Sequence, residues 1–289
     1  ILSMINPLQI NWSPNETFFE IGSFGIHYYS LMFVLAFFIG YRIVEKYFSD
    51  EKVSKKFLES LFVYMVFSTL IGARLGEVIF YSWDYYQNHL LEILLPIREN
   101  EQKYLFGFIK GYEFSGFRGL ASHGAAIGII SGILIFQKYY NFKSPLWIFD
   151  RLTVPVTLAG VFIRIGNFIN SEIVGKYTGT DYGIIFQNRG ENLPRHPAQL
   201  YESIGYLILF FTLKKLYKKN SNIPGFLLGV FFLGIFGIRF IVEFVKESQG
   251  GFESDFPLFS TGQWLSIPLI ISGIILILVS YFKSIKNKV

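Results

Sequence analysis

The chain has 289 residues, of which 52% are hydrophobic and only 16% charged; it is too apolar for an ordinary soluble domain and belongs with the polytopic membrane proteins. It contains no cysteine, which excludes disulfides, cysteine metal sites and a thiol nucleophile of its own, so any thiol that reacts must come from a substrate. The formal net charge of +5 sits in clusters between apolar runs, a pattern of membrane orientation and not of nucleic-acid binding.

Residues 1–25 carry no Lys or Arg and end in no small-residue cleavage site, which argues against a secretory signal peptide. Seven apolar runs are long enough to cross roughly 30 Å of hydrocarbon, at about 27–47, 57–81, 120–138, 146–168, 198–217, 224–245 and 263–282. Basic residues gather in alternate connections: Arg42, Lys46, Lys52, Lys55 and Lys56; Lys138 and Lys143; Lys214, Lys215, Lys218 and Lys219; Lys283, Lys286 and Lys288. The positive-inside rule assigns these to the cytoplasm, with the N-terminus out and the C-terminus in. The expected architecture is an all-α polytopic membrane protein, seven transmembrane helices with a small extracytoplasmic lobe. Residues 1–289 read as a single integral membrane domain, with 82–119 and 169–197 as extracytoplasmic connections. The first connection is aromatic and mixed in charge, from Trp83-Asp84-Tyr85-Tyr86 through Tyr104 to Phe117-Arg118, and suits the headgroup layer. The second is rich in turn formers from Gly179 to Pro194 and is expected to make the lobe.

Polar groups inside such runs are costly unless partnered, which makes each a candidate for function. Their depths agree. At a rise of 1.5 Å per residue, Arg164 lies roughly 27 Å above the inner start of the fourth run. Arg239 and Glu243 fall in the outer half of the sixth run, and Arg74 and Glu77 late in the second. Tyr29, His123, His196 with Gln199 to Glu202, and Gln263 lie near the outer starts of the first, third, fifth and seventh. Independent structural pairs would scatter through the depth, whereas a common level favours one cavity open to the outer leaflet. Arginines converging there call for an anion, and the guanidinium fork suits a lipid phosphate. Plainer readings stay open beside this one. Arg164 can pair with a carboxylate to lock two helices, Arg239 with Glu243 at i and i+4, and Arg74 with Glu77 at i and i+3. His123 can be a satisfied core histidine or a base that takes a proton from an incoming thiol near neutral pH. Tyr29 can be an interfacial aromatic, and the stretch from Arg195 to Glu202 can serve capping and loop anchoring. No two-histidine zinc helix, P-loop or nucleophile-elbow serine occurs, so metal hydrolysis, nucleotide-driven pumping and serine proteolysis lose support.

The stretch Arg164-Ile165-Gly166-Asn167-Phe168-Ile169-Asn170-Ser171-Glu172-Ile173-Val174-Gly175 resembles the signature of the bacterial prolipoprotein diacylglyceryl transferases. Further blocks are similar to the family's and stand in its order: Gly72-Ala73-Arg74-Leu75-Gly76 with Phe80-Tyr81, Ser122-His123-Gly124 with Gly128, and Arg195-His196-Pro197 with Gln199-Leu200-Tyr201-Glu202. Arg239-Phe240 with Glu243, and Gly262-Gln263 with Leu265-Ser266 and Pro268, complete the set, so the resemblance runs from about Tyr28 to Pro268. It implies an enzyme of the bacterial inner (cytoplasmic) membrane. The implied reaction moves the diacylglyceryl group of phosphatidylglycerol to the lipobox cysteine of prolipoproteins, forming a thioether and releasing glycerol 1-phosphate, with no cofactor and no metal. Its implied partners are phosphatidylglycerol, the prolipoprotein signal peptide and membrane lipids, with no nucleic acid. On the matching positions, Arg164 and Arg239 look like the two essential arginines that hold the phosphate, and His123 like the candidate base. Tyr29, Asn167, Asn170, Glu172, Gly175 and Glu243, with Arg74, His196, Tyr201 and Glu202, would bind the lipid or shape the site. The chain departs from the pattern at Ile235, where Tyr is usual, at Ala125 and Ser30, where Gly is usual, and in a longer connection between Tyr81 and Ser122. A reading from another class is a lipid or anion transporter using the same arginine cavity; such proteins show midplane repeats and polar groups continuing inward, and this sequence shows neither.

Overall fold

The computed structural model describes residues 9–21, 24–115, 121–248, 250 and 258–286, so Phe117-Arg118 and Lys288 lie outside the described residues. In chain order the elements begin with β1 (Gln9–Trp12), β2 (Thr17–Ile21), β3 (Phe24–His27), α1 (Tyr28–Asp50) and α2 (Lys55–Phe80). Next come two single-turn helices, α3 (Trp83–Tyr86) and α4 (Leu91–Leu94), then β4 (Ile97–Leu105), β5 (Ile109–Phe114), α5 (Ser122–Tyr140) and α6 (Pro145–Ile169). The chain ends with β6 (Gly183–Phe186), α7 (Ala198–Asn220), α8 (Phe226–Val242) and α9 (Thr261–Lys286). The long helices fall on the apolar runs. Three of them, α2, α6 and α9, are long and apolar enough to cross a membrane by length and composition.

The all-α expectation needs one correction: β1 pairs with β6 in parallel, and β2 with β3 and β4 with β5 antiparallel, in three two-stranded sheets. The six strands among the described residues lie in the N-terminal segment and the two long connections. Short stretches there mix aromatic, β-branched and polar residues, as in Thr17-Phe18-Phe19-Glu20-Ile21, and such residues suit a pleated, half-covered surface.

The chain divides into two compact units, residues 1–47 with 146–289, and residues 48–145. In the smaller unit α2 and α5 pack through small residues: a Cβ added at Gly76 would lie 2.6 Å from Gly124 Cα, so only glycine lets these backbones touch. Arg74 is buried at this end of α2 and donates to the carbonyls of Ile93 at 2.9 Å and Glu92 at 2.5 Å, with the Tyr86 ring 4.6 Å away. Glu77 instead accepts from Ser82 Oγ at 3.0 Å. Arg74 therefore anchors the connection that follows α2 and does not pair with Glu77 at i+3.

In the larger unit Tyr47, Val154, Leu209, Phe210, Leu213, Tyr217 and Leu227 form the core between helices. Asp150 of α6 is buried and its carboxylate accepts from the amides of Gly225 at 2.7 Å and Leu228 at 2.8 Å. This satisfies orphan donors at the start of α8 and fixes the helix that carries Arg239. The lobe has a small core of its own, Phe168, Val174, Ile184 and Phe186, against which Trp12 and Leu200 pack. Trp12 Nε1 also donates to the Phe168 carbonyl at 3.0 Å, tying the N-terminal segment to the end of α6.

Candidate active site

Arg164 stands in the last turns of α6. Its Nε meets the carboxylate of Glu202 from α7 in an ion pair, and its Nη1 donates to Asn167 Oδ1 at 3.0 Å across the i, i+3 spacing of one helix face. Asn167 carries the network onward, its Nδ2 donating to Glu172 Oε1 at 2.8 Å, while Gln199 Nε2 of α7 donates to the Glu172 carbonyl at 2.7 Å. Glu172 sits between Ser171 at φ +53° and Ile173 at φ +58°; the left-handed region is costly for a β-branched side chain and persists only where the surroundings hold it. Here the side-chain chain from Arg164 to Glu172 and the bond from the Glu172 amide to the Asn167 carbonyl, 3.0 Å, do the holding. Tyr29 of α1 packs against this side of α6. Gly166 makes room for it, since a Cβ there would lie 2.7 Å from the Tyr29 ring.

Arg239 comes from α8. Its Nε is buried and has no hydrogen-bond partner among the described residues. Glu243, one turn on, pairs with Lys246 Nζ at 3.4 Å, so the i, i+4 pair with Arg239 is not what forms. Gly262 of α9 lies against the Glu243 carboxylate, and Gln263 Nε2 reaches the Phe240 carbonyl at 3.2 Å. Backbone pairing brings the ends of the two helices to one place. Lys246, paired with Glu243, lies in the segment bridged by Gly175; the Lys176 amide donates to the Val245 carbonyl at 2.7 Å and the Glu247 amide to the Val174 carbonyl at 3.1 Å. Guanidiniums from α6 and α8 thus share a neighbourhood. Three cations there face the carboxylates of Glu172, Glu202 and Glu243, so net charge does not mark it as an anion site. What marks it is availability, because Arg239 Nε is a buried donor still without an acceptor.

The family described as Prolipoprotein diacylglyceryl transferase matches residues 16–279. The chain belongs to that family. A relative from Bacteroides fragilis is 41% identical over 269 residues, covering 92% of this chain and 94% of its own. One from Chloroherpeton thalassium is 39% identical over 280 residues, 96% and 95% of the two chains, and one from Tolumonas auensis 36% identical over 270 residues, 93% and 96%. All three are named phosphatidylglycerol–prolipoprotein diacylglyceryl transferase.

The remaining family positions fall as follows. Asn170 Oδ1 is buried without a hydrogen-bond partner among the described residues, and Glu202 is 1% exposed. His196 Nδ1 lies 3.3 Å from the Tyr201 hydroxyl and 3.4 Å from that of Tyr182. The Gly175 amide donates to the His196 carbonyl at 3.0 Å, and a Cβ at Gly175 would strike the backbone of His196 and Val245, so this position joins the lobe to the end of α8. His123 is exposed at the start of α5, in the unit of residues 48–145. Ile235, the departure from the family's Tyr, packs against the apolar core that contains Leu209 and Phe210 and brings no hydroxyl.

Two contributors had a legible spacing that the sequence reading passed over. Tyr206 is i+4 from Glu202 and lies on a face already singled out, and Lys246 is i+3 from Glu243, just past the end of α8. A third feature is the paired cluster of the lobe. Arg195 binds Glu191 through Nε and, at 3.0 Å, through Nη2; its Nη1 reaches the Gly175 carbonyl at 2.8 Å and Glu247 at 3.0 Å, and Tyr177 stacks on it at 3.9 Å. Arg189 adds bonds to Glu191 at 2.9 Å and Glu247 at 3.3 Å. Burial alone would raise the Glu191 pKa, but Arg195 and Arg189 outweigh it and hold the carboxyl below its ordinary value.

Proposed function

We infer that this chain is a phosphatidylglycerol–prolipoprotein diacylglyceryl transferase. The sulfur of the substrate's lipobox cysteine attacks the glyceryl carbon that bears the phosphate; a carbon–sulfur bond forms, the carbon–oxygen bond breaks, and its electron pair leaves on glycerol 1-phosphate. Charge develops on the departing phosphate oxygens, where preorganised guanidiniums lower the barrier without reorganisation at the moment of reaction. Arg239 supplies the donor that has no partner among the described residues, and Arg164, held by Glu202 and Asn167, supplies a second of fixed direction. The thiol proton goes to a base, for which His123 is the family-matched residue. Glu172, Asn167 and Tyr29 shape the wall beside Arg164, and Asn170, Gly175, His196 and Tyr201 set the surrounding loops, while Arg74 holds the connection after α2.

The finer architecture belongs to the same reading: α1, α2 and α5 to α9 cross the inner membrane as seven spans of one domain, N-terminus out and C-terminus in, with the arginines towards the outer leaflet. The basic clusters from Arg42 to Lys286 support that orientation. The observation that carries the proposal is that the segment following Arg164's helix pairs with the segment following Arg239's, Gly175 with Lys246, while Arg239 keeps a buried Nε without an acceptor among the described residues.

The test is thioether formation on a short cysteine peptide by purified protein supplied with phosphatidylglycerol, followed by mass. Arg239→Ala and Arg164→Ala should each lower the rate by at least about 10²-fold, the usual cost of losing one preorganised donor, while thermal unfolding shows a folded protein. His123→Asn should slow the reaction strongly; an unchanged rate would assign the proton to another group. Full activity in either arginine variant would remove the mechanism.

A further inference from the structure

The connection between α2 and α5 contains the antiparallel pair β4–β5, whose tip is the loop Phe106-Gly107-Phe108. Phe106 and Phe108 are each 74% exposed, their ring centroids 6.3 Å apart, and Ile109 and Tyr104 beside them are exposed as well. Phe106 holds φ at +53°, a position that Gly or Asn occupies at less cost. A phenylalanine there, with its ring in the open, stabilises little within the chain, so the ring is placed for something outside it.

The layering along the hairpin says what that is. Apolar side chains occupy the tip; Tyr104, Lys103 and Lys110 come next, with Tyr104 opposite Lys110 in the register; the acids Glu99, Glu101 and Glu113 lie further down the strands. Residues 103–112 contain two lysines and no Asp or Glu. Hydrocarbon-seeking rings, then tyrosine and lysine, then acids is the sequence of environments from acyl chains through anionic headgroups to water. A protein partner would not require that order. The connection starts at the end of α2, a helix able to cross a bilayer, so the strands are rooted at a membrane surface.

We propose that the β4–β5 tip inserts Phe106 and Phe108 into the leaflet beside α2, with Lys103 and Lys110 on anionic lipid phosphates. The hairpin is then a second, noncatalytic lipid contact, independent of the arginine site.

The chain has no cysteine, so single cysteines report without background. Full-length protein carrying Phe106→Cys, or Phe108→Cys in case residue 106 misfolds, is labelled with an environment-sensitive fluorophore and placed in nanodiscs of phosphatidylcholine alone or mixed equally with phosphatidylglycerol. Glu101→Cys is the control on the strand. In the mixed discs the tip label should shift to the blue and be quenched by acyl-chain nitroxides, while the control is quenched by aqueous iodide; in phosphatidylcholine alone, and in a Lys103→Gln, Lys110→Gln background, the tip signal should fall severalfold. A tip label open to iodide in the mixed discs overturns the proposal. So does one shielded from both quenchers, which would mean a protein contact, and equal insertion without anionic lipid overturns the role of the lysines.

Discussion

Two arginines of this chain, Arg195 and Arg239, both stand in blocks that resemble the family's, and the structure treats them in opposite ways. Arg195 is 3% exposed and saturated: two glutamates, a carbonyl and an aromatic ring use its whole fork. Arg239 keeps a buried Nε with no acceptor among the described residues, and the carboxylate nearest in sequence, Glu243, turns to Lys246. A satisfied buried guanidinium holds a fold together, whereas an unsatisfied one is a cost that a ligand can relieve. Arg164 lies between these limits, anchored on one side by Glu202 and Asn167.

The largest effect that would sharpen the contrast is on stability. Arg195→Ala leaves Glu191 and Glu247 to Arg189 alone and removes the bond to the Gly175 carbonyl, a loss of about 2 kcal/mol or more at the rate of charged hydrogen bonds. Thermal unfolding in detergent should show the loss, with the transfer rate per folded molecule largely kept; a stable but inactive variant would place Arg195 in the chemistry and erase the distinction.

Next comes the half-anchored arginine. Glu202→Gln keeps the shape but removes the charge that orients Arg164, an interaction of about 1.5–3 kcal/mol, so the rate per folded molecule should fall roughly tenfold or more, and since the pair is buried the unfolding temperature falls as well. An unchanged rate would mean that Arg164 needs no orienting partner.

Smallest is a pH effect confined to the lobe. The Glu191 carboxyl is held below its ordinary value of 4.5, so its stabilisation is fully present above that value and is lost as pH falls through the lower folded one. Protection factors across residues 189–195, which correct exchange for its intrinsic pH dependence, should fall with acidification in that window, and Arg195→Ala should flatten the dependence. Protection that is unchanged on acidification, or that falls only towards alkaline pH, would refute the assignment.

Much of this was legible in the sequence, because long apolar runs have few alternatives to helices and a charge inside one is conspicuous. The runs at 57–81 and 146–168 became α2 and α6 within a few residues. The strands were not legible: they are four to nine residues long, and β1 meets β6 across a long stretch of chain, a pairing no local pattern announces. Nor could spacing decide which partner a charge takes. Arg74 and Glu77 had the geometry of a helical pair, yet backbone carbonyls of the next connection and Ser82 took them; Glu243 had Arg239 at i−4 and Lys246 at i+3 and chose the lysine. Tertiary packing settles such choices.

The central claim is that Arg164 and Arg239 grip one phosphate, and a double-mutant cycle on kcat/KM measures it most directly. Arg164→Lys and Arg239→Lys keep the charges but lose the forks, and are compared singly and together on phosphatidylglycerol and a cysteine peptide. If both forks meet the same group, the double variant should lose less than the product of the single losses, with a coupling of about 1 kcal/mol or more. Losses that simply multiply would mean that the two arginines work apart, and the shared-phosphate account would fall.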